Sequence, residues 1–323
     1  MRRRAFLATL LATGATGKLF AQKPPLVALL TTATIQAGRT SEEHFLAGMR
    51  ELGHAENTTF RLERRHWSGD DPGAVAALIA ELLAHRPDVL VVNGTTVVQA
   101  AKKASATVPI VAASSSDLVT SGLVKSYARP GGNVTGVTSL IDVVTAKRVE
   151  ILVEALPAAR KVMLLQNPHW PIAKKVEGEA NKVAARLRVD LVHARAGDAK
   201  ELDDWLDRLP QQRPDAIVIG PHTLFSTHAG RIIDRSARIG VPVVHYRPDA
   251  ALRGALLVLG VDIPAQYRRA ASFVDRILKG AQPGDLPIEQ VTKYDVIVNL
   301  KAAKALGLSV SPTVLVRADR VIE

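Results

Sequence analysis

The sequence contains no cysteine, which excludes disulfides, thiolate metal sites and a lipid anchor built on an N-terminal Cys. Aromatic residues make up only 4% of the 323 residues while 47% are hydrophobic, so Ala, Val, Leu and Ile must fill the core, as in α/β proteins with buried parallel strands. No apolar run approaches the ~20 residues that a bilayer-spanning helix needs. Signatures of catalysis are missing too. There is no G-x-S-x-G elbow, Walker loop or dinucleotide fingerprint, and Gly131-Gly132 belongs to a turn after Pro130 rather than to a strand-to-helix phosphate loop. An enzyme, or a protein with a cofactor, has no residues here to support it.

Charge of one sign is in excess, 42 basic against 31 acidic residues for a formal +11. Four of those cations (Arg2, Arg3, Arg4 and Lys18) lie in the first segment, and without them the charge is +7. The remainder are spread over helix-like stretches, as at Lys174-Lys175 and Arg268-Arg269, with no basic block interleaved with aromatics, so no nucleic-acid partner is expected.

The N-terminus has the order of an export leader. Arg2 to Arg4 is basic, Ala5 to Leu11 is apolar, and Ala12 to Gly17 is built of small residues. Arg3-Arg4-Ala5-Phe6-Leu7 matches the paired-arginine pattern that carries folded cargo across a bacterial inner membrane, with a plain Sec signal as the alternative. A cut after Ala21 makes residues 1–21 the leader and releases an unanchored protein, expected as a monomer, into the periplasm.

From residue 25 onward, β-branched runs alternate with amphipathic stretches, the pattern of successive βαβ units around a parallel sheet. Strands are predicted at 26–30, 60–64, 89–92, 110–113 and 134–137, with helices at 41–52, 71–84, 96–105 and 119–127 between them. Ser41 reads as the first helix's cap and Gly53 as its stop. A second cycle follows, with helices at 146–156, 172–187, 199–209 and 229–239 and strands at 161–165, 190–192, 216–219, 243–245 and 255–259. A helix at 267–278, a strand at 295–300 and a helix at 301–306 are too few for a third domain and must complete the first two. The expected fold is α/β: two doubly wound parallel-sheet lobes with a cleft between the carboxyl ends of their strands.

Three segments then carry a resemblance. They are VVNGTT at 91–96, SDLVTSGLV at 116–124 and ARPGGNVTG at 128–136, and FLAGMRELG at 45–53, YRRAA at 267–271 and VNLKAAKALGL at 298–308 extend it. Together they resemble the successive motifs of substrate-binding proteins of ABC importers of the tryptophan/tyrosine type, over residues 25 to 323. The resemblance implies a type I periplasmic binding fold with three hinge crossings. It places the first lobe at 25–138 plus 263–290 and the second at 139–262 plus 291–323. It also implies an ABC permease and ATPase as membrane partners.

Residues just past the strand ends are the candidate ligand contacts, because helix N-termini there present free N–H groups. The first lobe offers Thr31, Thr32, Asn93, Thr95, Thr96, Ser115, Ser116 and Asp117. Hydroxyls and amides suit a carboxylate, and Asp117 is either the partner of a ligand ammonium or the cap of the following segment. The resemblance points at the same Asp, although Ser116 and Leu118 stand where the family commonly has Gly and Pro. The second lobe offers Asn167, His169, His222, His245 and Tyr246. Gln166 replaces an aromatic of the family's WNP turn, and Trp170 is a substitute wall. Trp67 either stacks on the ligand or packs over the sheet edge. Asp262 either binds ligand or orders the hinge. The three histidines lack the spacing of a zinc motif and read as polar pocket walls, so no metal is expected.

These features point to a receptor that closes two lobes on a small solute, an aromatic amino acid or related carboxylate. A sensor read by a membrane kinase is the alternative of another class, distinguished by the absence of neighbouring permease and ATPase genes. An exported enzyme would require turnover of the bound compound.

Overall fold

The structure is a computed structural model that describes residues 23–323, apart from residues 70, 72 and 140 and the side chains of 141–143. The expected leader and its cut after Ala21 lie outside the described residues.

The chain opens with β1 (Leu26–Thr32), α1 (Ile35–Glu51), β2 (Arg61–Trp67), α2 (Ala74–Ala84), β3 (Val89–Asn93), α3 (Thr95–Ala104), β4 (Ile110–Ser115) and β5 (Val134–Ser139). It then crosses into α4 (Ile141–Ala155), β6 (Lys161–Gln166), α5 (Ala173–Leu187), β7 (Asp190–Arg195), α6 (Ala199–Gln212), β8 (Ala216–Ile219), α7 (Thr223–Thr227), α8 (Ala229–Ala237), β9 (Val243–His245), α9 (Asp249–Leu252) and β10 (Leu257–Gly260). A return leg supplies α10 (Ile263–Leu278) and β11 (Glu289–Val291). The end of the chain supplies β12 (Asp295–Asn299), α11 (Leu300–Ala305), α12 (Pro312–Val316) and β13 (Arg320–Ile322).

Two sheets result, ordered β11-β5-β4-β3-β1-β2 and β13-β12-β10-β9-β8-β6-β7. Alternation along each strand explains the layers. In β1, Val27 and Leu29 join Phe45 and Met49 of α1 and Tyr267 and Phe273 of α10 on one face. Ala28 and Leu30 join Ile79 of α2 and Val97 of α3 on the other. The second lobe repeats this in β6, with Met163 and Leu165 against Trp205 of α6, and Val162 and Leu164 against Leu152 of α4. Both sheets are therefore buried on two faces by aliphatic side chains, as composition requires.

The chain passes between the sheets three times, after Ser139, at 261–262 and at 292–294. Val291 still pairs with Ser139, so the third crossing begins one residue later than the expected boundary at 290. One pairing is not parallel: β12 runs antiparallel to β10, with Gly260 opposite Asp295. The third crossing delivers the chain to the hinge end of the second sheet, where β10 finishes, so β12 can only run back. Gly260 is required by a close approach on the β9 side of the strand, since a Cβ there would meet the Tyr246 carbonyl oxygen at 1.8 Å.

Two predicted elements differ. Helix α1 starts at Ile35, not Ser41, because Thr34 caps it by accepting from the Ala37 N–H at 3.2 Å, while Ser41 sits inside and donates to the Ala37 carbonyl. The predicted helix at 119–127 is a set of turns. Asp117 satisfies the Val119 and Thr120 N–H groups, but Gly122 at φ +70 ends the first turn and Leu123 and Val124 both return to the Leu118 carbonyl. Among the described residues no helix is long and apolar enough to cross a membrane.

Candidate functional site

Thr32, Asn93, Thr95, Thr96, Ser115, Ser116, His222 and Tyr246 come together around a cavity of about 70 Å³ between the lobes. The first-lobe wall is hydroxyl-rich and braced. Thr32 Oγ1 donates to Asn93 Oδ1 at 2.6 Å, Thr95 Oγ1 accepts the Ser116 N–H at 3.0 Å, and Thr138 Oγ1 donates to the Ser116 carbonyl at 2.7 Å. Behind it α3 begins at Gly94, which caps the helix with no side chain, so its first N–H groups are turned to the cavity end of the sheet. Thr96 Oγ1 is buried with no partner.

The second-lobe wall is built around His222. Its Nδ1 accepts from the Leu224 N–H at 3.3 Å and lies 3.2 Å from Asn167 Nδ2, so the ring is neutral with its proton on Nε2. Burial, and then the neighbouring His169, push its pKa down to about 4. Tyr246 donates to the His222 carbonyl at 2.8 Å and also shares a hydrogen bond with Ser226. His245 does not line the cavity: it is buried behind Tyr246, stacked on that ring at 4.7 Å, and burial pushes its pKa down to about 3.

One guanidinium stands in this wall and a second is buried behind it. Arg247 lines the cavity and gives its Nε to Asp249 Oδ1 at 2.9 Å. Arg148, fully buried on α4, donates from Nε to the Leu259 carbonyl at 2.9 Å and from Nη1 to Thr145 at 3.0 Å. Among the described residues its Nη2 has no partner, and its guanidinium lies 5.7 Å over the Tyr246 ring. Burial lowers its pKa to about 9, which leaves it charged at neutral pH.

The other candidates lie elsewhere. Thr31 turns to His66 at 3.2 Å, away from the cavity. Asp117 does not line it: its carboxylate accepts from the Val119 and Thr120 N–H groups, the Thr120 hydroxyl and Tyr127 at 2.5 Å. Burial pushes that carboxyl up, but these hydrogen bonds outweigh it and hold the pKa below the usual range. Asn167 sits behind His222, bonded to the Gly197 carbonyl at 3.1 Å, and His169 is exposed over Gly197. Asp262 caps α10 through the Ala265 N–H at 3.0 Å and faces an adjoining open groove of about 550 Å³. Among the described residues no group of His, Asp and Glu could hold a metal.

Trp67 lies at the seam of the lobes. Its ring meets His222 edge-on at 6.3 Å, and its Nε1 donates to the Asp71 carbonyl at 3.0 Å. The lobes are shut here: Thr227 donates to the Ser68 carbonyl, Lys175 Nζ reaches Thr120 Oγ1 at 3.0 Å, and a Cβ on Gly69 would meet the Leu224 nitrogen at 2.6 Å.

Arg247, Ser226 and Ile263 complete the cavity wall and were not expected from the sequence. Arg247 follows β9 by two residues, so reading the strand ends one step further reaches it. Arg148 gives no such signal, because an arginine on a helix ordinarily reads as a solvated face.

The profile of the ABC transporter substrate binding protein family matches residues 37–322. The chain belongs to this family. Members of this family bind a solute and do not transform it, in keeping with a cleft of hydroxyls and guanidiniums. Among curated relatives, a tyrosine-binding protein of Clostridioides difficile is 20% identical over 268 residues, 83% of this chain and 76% of that one. A conserved domain protein from Vibrio cholerae has a structure with a TM-score of 0.85 at 26% identity, over 93% of this substrate-binding protein and all of that chain. An ABC domain from a Streptococcus, solved in complex with L-Trp, has a TM-score of 0.84 at 20% identity with the same coverage, and shares the two-lobed fold.

Proposed function

We propose that this substrate-binding protein is the periplasmic solute receptor of an ABC importer, exported by its N-terminal leader and working as a monomer. It captures a small carboxylate-bearing solute, an aromatic amino acid or a related acid, between its lobes and presents the closed form to a permease and ATPase. The observation that carries this is the cavity between the strand ends of the two lobes, walled by hydroxyls from one lobe and by Arg247, His222 and Tyr246 from the other. Such a wall favours closure only when a solute bridges it, because contacts to both lobes exist only in the shut form. Binding of tyrosine and L-Trp by the relatives named above supports the solute class.

The test is thermal unfolding of the leader-free protein against amino acids, aromatic acids, sugars and nucleobases. A ligand of the folded state raises the midpoint by RT ln(1 + [L]/Kd), about 2.7 kcal/mol of stabilisation at a hundred times Kd. A midpoint that moves with none of these compounds overturns the reading.

A further inference from the structure

Size separates the two spaces between the lobes. The cavity at the strand ends measures about 70 Å³, whereas a cavity that binds benzene measures about 150 Å³. Small-molecule sites commonly span about 300–1,000 Å³. The adjoining groove, at about 550 Å³, falls in that range and the cavity does not. The two share part of their lining, since Arg247 and Ile263 belong to both.

The groove is also built by both lobes. Ala37 and Thr40 of α1 and Pro264 of α10 face it from the first, and Pro248, Arg253 and Ile297 from the second. Its charges are nearly balanced, three arginines against four aspartates, and several are engaged within the protein. Asp249 holds Arg247, Asp262 caps α10, and Asp319 accepts the Val296 N–H at 2.8 Å. Ala37, Pro248, Ile263, Pro264 and Ile297 supply apolar surface among them. Next in the chain to Gln36 and Arg253 of the wall, one on each lobe, stand Ile35 and Leu252, large hydrophobic side chains left exposed.

We propose that the groove is the second half of the solute site: the acid head enters the cavity, and an apolar body too large for the cavity lies in the groove. The inference rests on the solute-receptor reading and narrows its ligand class to acids with a body of ring size or longer. In the cavity the head meets Arg247 and the hydroxyl of Thr96, which is buried without a partner among the described residues. In the groove the body touches both lobes at once, so it adds to the preference for the shut form. Short acids fill the cavity alone and forgo that contribution.

The experiment is calorimetric titration of the leader-free protein with two series that share a head and differ in body: acetate, butyrate and 3-phenylpropionate, and L-alanine, L-leucine and L-phenylalanine. Affinity should rise by at least ~10-fold from the shortest to the longest member of at least one series. Ala37→Trp and Thr40→Trp fill the groove from half-buried positions on α1. Each should cut the longest member's affinity by ~10-fold or more, bringing it toward that of the shortest. Thermal melts confirm that both variants fold. A crystal grown with 3-(4-bromophenyl)propionate should place the bromine in the groove by anomalous scattering. Equal affinity along both series, undiminished binding of the longest member by both variants, or bromine in the cavity or at the Trp67 seam overturns the inference and leaves the receptor reading standing. Binding of neither series overturns it too, and the wider screen of sugars and nucleobases then decides whether the receptor reading survives.

Discussion

On the first-lobe wall of the cleft the polar groups answer one another, whereas in the layer behind the second-lobe wall several do not. Thr32 bonds to Asn93, Ser116 to Thr95, and Ser139 to the Ser115 carbonyl; Thr96 Oγ1 alone is unanswered. Across the cleft, behind the residues that line the cavity, Arg148 Nη2, His245 Nε2 and both amide atoms of Gln166 are buried without partners among the described residues. A buried donor left open costs about 1–3 kcal/mol, so the second wall is the strained one. The first wall is a finished bed on which a solute can settle without reorganisation. Charge and unmet hydrogen-bonding capacity lie on the lobe that closes over it.

The largest expected consequence is with pH. His222 and His245 are held near 4 and 3 by burial, against about 6.5 in an unfolded chain, and no histidine of the first lobe lines the cavity. Above pH 6.5 both states are neutral and stability is full. Between 6.5 and about 4 the unfolded chain binds protons that the folded protein refuses, so stability falls with decreasing pH. Unfolding free energy from denaturant titration should drop by on the order of 2–4 kcal/mol between pH 7 and pH 5. His222→Gln combined with His245→Gln should flatten that fall, and an unaltered slope would break the contrast between the walls.

Next in size is a substitution with an unusual sign. Burying Arg148 without a carboxylate partner carries a desolvation cost that an apolar side chain of similar length avoids. Arg148→Met should leave unfolding free energy unchanged or raise it by up to ~2 kcal/mol, while carboxylate affinity falls. Thr32→Val, on the answered wall, should lower stability by about 1 kcal/mol. If Arg148→Met destabilises by more than Thr32→Val, the second wall is not the strained one.

Gly69 tests the contact between the walls. At φ +89 and 2.6 Å from the Leu224 nitrogen, a Cβ would hold the lobes apart while each keeps its core. Gly69→Ala should weaken solute binding about 10-fold, equivalent to about 1.4 kcal/mol, with small-angle scattering showing a more open average form. Unchanged affinity would mean that the seam at Ser68 and Thr227 does not accompany binding.

Periodicity made the two-lobed fold legible, because β1 and β6 alternate between two buried faces and so read as apolar runs between helices. What escaped was set by tertiary contact. The helix expected at 119–127 loses to the Asp117 turn and Gly122, β12 turns antiparallel because of where the hinge delivers it, and β11 and β13, three residues each, carry too little pattern to be seen. Strand ends located the hydroxyl wall, since position after a parallel strand is a property of the local chain. The guanidiniums were not legible in that way. Arg247 lies in a loop after a three-residue strand, and Arg148 is buried only because α4 lies beneath the Leu259 carbonyl.

Asp117 carries the smallest expected effect and the sharpest consequence. If it held a ligand ammonium, Asp117→Asn would cost ~10-fold or more in affinity for an amine-bearing solute. Its carboxylate instead closes the 118–121 turn, with its pKa held low by those hydrogen bonds against the opposing effect of burial. Asn can still accept from the two N–H groups but gives up the charge that strengthens the bonds from Thr120 and Tyr127. Stability should therefore fall by about 1 kcal/mol, and affinity should change by less than ~3-fold, an interval worth about 0.6 kcal/mol. A tenfold loss of amino-acid binding at unchanged stability would return the negative charge to the ligand site. The first-lobe wall would then no longer be the neutral one.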